Sequence, residues 1–464
     1  MNTMQLCGAV SVILLVVVVG LLSGRKVKGA SDFISGGGTA GCGTVAGMVM
    51  GTLVGGACTI GTAQLAYDYG VSAWWYTLGC GLACAFIGLV YAKPFRRSKF
   101  DTMAEILLEE YGQNINIISS LLSVLGQLLT LAAQLVSATT IVPYIFSGLN
   151  SAGCLLLTVA LMLVYVVFGG TLGAGEIGKI KVALLYAAII TGAVIIWRSG
   201  SIPTFRAELD PVVYFDLFLF GAGEEAGKAL SVVLGLASTQ SYMQAMRMAR
   251  SDRAARNGEL ISAVLIPLIG AGSILIGLFM RIQQPNLANS KDAFSLFILQ
   301  YMPNWLSGIF MGTLFLVIIG AGASVALTAA TILIRGVVRP LCPRFNDEKA
   351  CLVLIRLSII ASLAISCMLG SGPLGTVVLN FTFLSTRIMA ATLFAPLMCA
   401  LFLPGKVDST WACLSAAAGP AAVLLFTVWE ILPFDSMFAG ILAGTACCVI
   451  GAVQNRKKPR PAAH

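Results

Sequence analysis

The chain has 464 residues, of which 58% are hydrophobic and 11% charged, and its mean hydropathy is +0.91. A soluble domain carries roughly 25% charged residues, and a chain this apolar cannot hide its surface in a water-soluble core; it calls for a bilayer. The formal charge of +9 would suit a nucleic-acid partner only if it were gathered into one patch, and it is not, so no nucleic-acid partner is expected.

Stretches of about 20 mostly apolar residues, enough for one crossing, run almost end to end. The predicted spans are 5–23, 40–68, 73–92, 114–148, 151–169, 180–197, 224–246, 259–280, 306–334, 351–370, 375–402, 409–429 and 436–453. The first has no basic segment ahead of it, as a secretory signal would. Arg25, Lys26 and Lys28 follow it instead, which places the N-terminus outside.

Alternate loops continue that pattern. Lys93, Arg96, Arg97 and Lys99 share one loop, and Lys179 and Lys181 the next. Arg247, Arg250, Arg253 and Arg256 come after, then Arg335, Arg339, Arg344, Lys349 and Arg356, then Lys406, then Arg456, Lys457, Lys458 and Arg460. With the first loop these make 23 of the 29 basic residues. Arg198, Arg206, Lys228, Arg281 and Lys291 lie on the opposite side, and Arg387 is mid-helix. The alternation predicts an all-α polytopic protein of about thirteen transmembrane helices in the plasma (inner) membrane, with the N-terminus outside and the C-terminus cytoplasmic. Residues 1–464 form one membrane domain, ending in a tail at 454–464. The segment Ala293–Met302 has helical apolar spacing and is expected on the outer surface.

Thirteen cysteines are scattered, mostly in apolar runs, with no Cys-x-x-Cys pair. The one histidine is His464. Neither a disulfide framework nor a histidine metal site or base follows from this. Paired aspartates at depth and a His-Glu-x-x-His helix are missing from the sequence too, so no catalytic residue is expected and the chain is not read as an enzyme.

Four features could carry function. In 40–68, glycines at 47, 51, 55, 56 and 61 weaken the helix beside Thr52, Thr59, Thr62 and Gln64. Irregular backbone at membrane depth survives only where it is buried in protein or lines a cavity. Two readings stay open: close helix packing through Gly47, Gly51 and Gly55, or a break whose carbonyls hold a cation and whose N–H groups hold a solute. The span 224–246 echoes it, since Val54-Gly-Gly-Ala-Cys-Thr59 aligns without gaps on Leu234-Gly-Leu-Ala-Ser-Thr239, with Gln240 next; paired interrupted segments point to a transport site. In 114–148, Ser120, Ser123, Gln127, Thr130, Gln134 and Ser137 share one helical face, either bonding a neighbouring helix or walling a cavity. Arg387 needs a partner: a carbonyl, a loop carboxylate or an anionic solute.

Several segments together resemble the sodium:solute symporter family, whose core is similar to the LeuT fold. They are Val27-Lys-Gly-Ala-Ser-Asp-Phe-Ile-Ser-Gly-Gly37, the run Gly51–Gly70, Thr102-Met-Ala-Glu-Ile-Leu-Leu-Glu-Glu-Tyr-Gly112, Tyr165-Val-Val-Phe-Gly-Gly170, Gln244-Ala-Met-Arg247 and Gly320–Arg335. The resemblance implies an extra helix at 5–23, two inverted five-helix repeats at 40–197 and 224–402, and two further helices at 409–453. It implies cation-coupled symport, with sodium as the coupling ion and no other cofactor, of a small polar or carboxylated solute into the cell by alternating access; the alternative is a transporter-like sensor or an uncoupled permease with an altered sodium site. The partners would be the solute, sodium and the lipid bilayer. Sodium would sit among Gly51, Val54, Gly320, Ala321 and Ser324, although Gly320 and Ala321 stand where the family often has hydroxyls. Solute would meet residues among Gly55, Gly56, Cys58, Thr59, Gln64, Gln127, Gln134, Ser238, Thr239, Gln240 and Arg387.

Overall fold

The computed structural model describes residues 2–24, 38–97, 100, 102–146, 148–342, 348–370, 377–429 and 434–457. The basic residues Arg25, Lys26, Lys28, Lys99, Arg344, Lys458 and Arg460, and the segment Val27–Gly37, lie outside these. Among the described residues all regular structure is helical, apart from one isolated bridge between Ala40 and Ala249. Among the described residues nine helical stretches are long and apolar enough to cross a membrane, and Thr3–Leu14, Cys42–Leu53 and Gly153–Leu163 are shorter apolar ones.

In chain order the main helices are α1 (Thr3–Gly24), α2 (Cys42–Leu53), α3 (Thr62–Tyr69), α4 (Trp74–Phe86), α5 (Ala92–Arg97), α6 (Met103–Tyr111), α7 (Gln113–Thr139) and α8 (Ser151–Arg198). After them come α9 (Ala222–Ala237), α10 (Gln240–Arg247), α11 (Asp252–Gln283), α12 (Ala293–Tyr301), α13 (Asn304–Leu333), α14 (Glu348–Gly370), α15 (Val378–Phe402), α16 (Ser409–Trp429) and α17 (Ser436–Lys457). Wide π-helical turns at Ala57–Gly61, Ile87–Tyr91 and Ile334–Val338 join or extend several of them.

Thirteen separate spans do not emerge. The expected pair at 151–169 and 180–197 forms one backbone helix, α8. No proline interrupts residues 151–198, so each N–H keeps its helical acceptor and the chain runs on. Lys181, read from sequence as a loop residue, is consequently inside a helix and only 2% exposed. The spans 40–68 and 224–246 are each broken into two half-helices: α2 with α3, and α9 with α10.

Of these half-helices α2 packs on α8, α11 and α13, α3 on α11 and α12, α9 on α4 and α15, and α10 on α2, α5, α11 and α13. The outward faces of α4, α8, α11, α14, α16 and α17 keep exposed apolar residues such as Leu82, Ile190, Val264, Leu357, Leu424 and Leu442, as a lipid-facing surface requires. One residue before α2 and one after α10 are tied by the bridge: the Ala40 N–H donates to the Met248 carbonyl and the Arg250 N–H to that of Ala40, both at 2.9 Å. The Arg96 guanidinium crosses this clasp, donating to the Ala249 and Arg250 carbonyls and to Asp252 at 3.0–3.2 Å. The Ala293–Met302 segment is helical as its spacing predicts, and α12 buries Phe294, Phe297 and Ile298.

Candidate functional site

The first break has a definite cause. Val54 adopts φ −78° and ψ 97°, which ends α2, and Gly55 and Gly56 follow before the π-turn begins. The Gly56 N–H turns to the side-chain Oε1 of Gln134 on α7, at 2.9 Å. A buried N–H must find some acceptor, and this glutamine supplies it. Side chains beyond the break fold back on backbone carbonyls: Cys58 Sγ on Leu53 at 3.5 Å, Thr59 Oγ1 on Gly55 at 3.0 Å and Thr62 Oγ1 on Ala57 at 3.0 Å.

Neither glycine could carry a side chain in place. An added Cβ at Gly55 would lie 2.5 Å from Gln134 Oε1 and 2.9 Å from Ala321 Cβ. At Gly56 it would collide with Ser137. The break, α7 and α13 therefore meet at van der Waals distance. Of the two readings of this glycine run, the backbone shows the close packing and the break together.

The second break lies at Ser238 and Thr239, between α9 and α10. In the six-residue alignment it falls at the end of the window, whereas the first falls at its start, so the two breaks are offset by about one turn. Thr239 Oγ1 caps the Gly235 carbonyl at 2.8 Å and faces Met389 Sδ at 3.7 Å. Ser241 bonds Thr328 of α13 at 3.0 Å.

Between the breaks is a small hollow of about 40 Å³. Thr52, Leu53, Gln127, Thr130, Gln134, Thr239 and Ser241 line it, with Tyr76, Tyr242, Thr382, Thr386, Met389, Leu236 and Val325. None of these carries a charge. A second hollow lies towards Glu105 and Arg335, and Asn116, Ser119, Ser120, Ser123, Gln127, Ser238, Gln240 and Met389 help to line it. The polar stripe of α7 thus runs from one hollow into the other, and Gln127 and Met389 stand at the partition, the amide 3.8 Å from the thioether.

The sequence-predicted residues separate into groups. Gln127, Gln134 and Thr239 line the central hollow, and Ser238 and Gln240 the second one. Gln240 also accepts the Met103 N–H at 2.8 Å. Gly55, Gly56, Cys58 and Thr59 build the break, the Cys58 and Thr59 side chains spent on backbone carbonyls and the Gly56 N–H on Gln134. Gln64 reaches Ser290 at 3.4 Å and the Val378 N–H at 3.3 Å, and is not in the lining. The Arg387 guanidinium pairs with the buried Asp435 carboxylate just before α17; this is the partner that no predicted span contained. Asp435 also caps α17 through the Met437 N–H at 2.8 Å.

The five cation-site candidates do not offer a cage of free oxygens. Ala321 abuts Gly55, Ser324 Oγ donates to the Gly320 carbonyl at 2.9 Å, and Val54 is buried. The Gly51 carbonyl accepts from Lys181 Nζ at 3.1 Å. Sequence reasoning missed Lys181, Tyr76, Ser241, Thr382, Thr386 and Met389. The i,i+4 spacing of Thr382 and Thr386 was a readable signal; the others had none.

A model of the sodium:solute symporter family matches residues 33–419. The chain is 22% identical over 452 residues to high-affinity choline transporter 1 of Caenorhabditis elegans, covering 86% of this chain and 74% of that one. It is 21% identical over 381 residues to the Drosophila melanogaster protein of the same name, covering 77% and 61%. The uncharacterized symporter YwcA of Bacillus subtilis is 25% identical over 185 residues, 39% of this chain and 36% of that one. Among solved structures, a Na+-coupled sialic acid symporter in a substrate-bound outward-open state superposes with a TM-score of 0.75 at 17% identity, covering 99% and 98% of the two chains. Mhp1, a nucleobase-cation-symport-1 family transporter, gives 0.59 at 12% identity, covering 93% and 96%. At such identities the structural likeness is one of fold.

Proposed function

The chain belongs to the sodium:solute symporter family, and from that premise we propose that it carries a small polar solute without net charge into the cell, bound in the hollow between the two breaks. Sodium-coupled symport is the family's activity. The solute class rests on one observation: the hollow is lined by hydroxyl and amide side chains with no charged one among them. A net charge moved from water into such a site would lose its hydration without gaining a counter-charge. A neutral or zwitterionic solute meets Gln127, Gln134, Thr130, Ser241, Thr382 and Thr386 instead. A carboxylated solute finds no cation there, because Arg387 is held by Asp435.

A second reading, a quaternary ammonium, has support from Tyr76 and Tyr242 in the lining, since aromatic faces hold weakly hydrated cations, and from the names of two relatives. We place the N-terminus outside, on Arg25, Lys26 and Lys28 after the first apolar run, and the protein in the plasma membrane. Uptake into proteoliposomes tests the proposal, with neutral, zwitterionic, carboxylated and quaternary ammonium solutes offered in turn, with and without an inward sodium gradient. Accumulation of a neutral or zwitterionic solute driven by sodium is expected. Accumulation of a net anion alone, or equilibration that ignores the gradient, refutes it.

A further inference from the structure

Helix α2 stops at membrane depth, and its last carbonyls carry the negative end of the helix dipole. Such an end attracts a cation. The cation beside it belongs to the protein. The Lys181 ammonium donates to the Gly51 carbonyl at 3.1 Å, with the residue 2% exposed.

The approach is built into both helices. An added Cβ at Gly178 would fall on the Gly47 carbonyl oxygen, so α8 and α2 touch backbone to backbone there. Lys181, one turn along α8, then reaches Gly51, one turn along α2. Nearby groups leave the seat to the amine: the Ala321 methyl packs on Gly55 and the Ser324 hydroxyl is turned to its own helix.

Charged groups around the amine are few. Of the helices packed on α8, α1, α2, α7 and α13 carry no charged side chain, and their thiols Cys7 and Cys42 are exposed. Helix α11 carries Asp252, tied to Arg96 and Arg97, and Glu259, buried against Gly88, together with Arg253, Arg256 and Arg281. Helix α14 carries Arg356, together with Glu348 and Lys349 at its start, whose side chains lie outside the described residues, and the short helix Ser201–Glu208 carries Arg206 and Glu208. On α8 itself Lys179 reaches Thr44 at 3.4 Å, Arg198 ends the helix, and the Glu176 side chain lies outside the described residues.

We propose that Lys181 is a tethered cation seated at the end of α2, so that its ammonium and a sodium ion are alternative occupants and sodium enters as a proton leaves. This rests on the sodium coupling stated above and concerns how that coupling is regulated. Protonated Lys181 fills the seat and neutral Lys181 yields it, so the exchange balances: one sodium ion in, one proton out.

The test measures sodium-dependent thermal stabilisation of the purified full-length protein across the pH range in which it stays folded, in the wild type, Lys181→Met and Lys181→Arg. In the wild type the half-saturating sodium concentration should rise about tenfold for each unit of falling pH while Lys181 is protonated. In Lys181→Met it should be independent of pH. In Lys181→Arg, which cannot shed its charge, sodium should have no effect at any pH; should that variant not fold, the comparison with Lys181→Met decides alone. A sodium response independent of pH and equal in wild type and Lys181→Met overturns the proposal and leaves sodium coupling standing. A response gained only in Lys181→Met supports the proposal while removing sodium coupling from the native chain. No response in any form means the seat takes no sodium, and the proposal falls.

Discussion

Gly56 offers a sharp test of the idea that the first break is held by contact with α7. Its φ of −59° and ψ of −33° suit any residue, so alanine adds no backbone strain there. Helix propensity even favours alanine. The cost is contact alone. An added methyl would meet the Cβ and Oγ of Ser137, with Gln134 Oε1 next at 3.5 Å. The overlap with Ser137 exceeds an ångström, judged against the roughly 3.5 Å at which carbon atoms touch. Overpacking by a methyl costs about 1–3 kcal/mol. The upper part of that range applies, because the Ser137 Cβ is fixed to the backbone of α7 and cannot rotate away. Gly56→Ala should therefore lose about 2–3 kcal/mol of stability together with solute uptake. Ser137→Gly removes both offending atoms, and by itself should cost about 1 kcal/mol as a helix glycine. Denaturation midpoints of the two single variants and the double variant, in detergent, give the coupling energy. The double variant should recover most of the loss. Strictly additive effects would refute the contact account, as would a Gly56→Ala protein that is stable and active.

Gln134→Leu should destabilise the protein by roughly 1–3 kcal/mol, because the Gly56 N–H loses its buried acceptor, and should weaken solute binding as well; ligand-induced thermal shift reads both, and a wild-type-like Leu variant would remove Gln134 from the break. Asp435→Asn leaves the Arg387 guanidinium without its countercharge. The expected loss is about 3 kcal/mol, the low end for a buried pair, since the arginine side chain keeps 18% exposure. Adding Arg387→Met should restore much of it, and a double variant no better than Asp435→Asn would count against the pair. Met389→Ala opens the partition between the hollows, so downhill efflux of preloaded solute should speed up while sodium-driven accumulation falls. An unchanged efflux rate would show that the thioether gates nothing.

Periodicity made the stripe on α7 legible, because glutamine has no place against lipid and six polar residues at helical spacing leave one face to explain. Whether that face bonded a neighbour or walled a cavity could not be read, and the structure shows why. Gln134 bonds the Gly56 N–H and lines the hollow with the same side chain. The glycine run marked the first break correctly in place but not in register with the second, since a six-residue similarity carries no information on which peptide unwinds. Arg387 looked unpartnered because Asp435 precedes the last apolar run and only the packing of α15 on α17 brings the two together. Lys181 was hidden by the loop-counting rule. Counting basic residues by loop assigns every lysine between two apolar runs to the aqueous side, and the continuous helix removes that loop.

These placements together say which parts can move. The α7 stripe lines both hollows, so α7 is a wall in common and not a gate. The first break gives Thr52 and Leu53 to the central hollow, and the second serves both, with Leu236, Thr239 and Ser241 in the central one and Ser238 and Gln240 in the other. The clasp of Ala40 on Ala249, crossed by Arg96, ties one end of α2 to the far end of α10, so the two half-helices are coupled where they leave the hollow. The way from the Arg335 side to the central hollow passes Gln127 and Met389 at the partition. Lys181 holds the other end of α2 at Gly51. A cation exchange at that end acts on the same half-helix that the clasp joins to the gate, which gives the ion a mechanical route to the solute path without any contact between ion and solute.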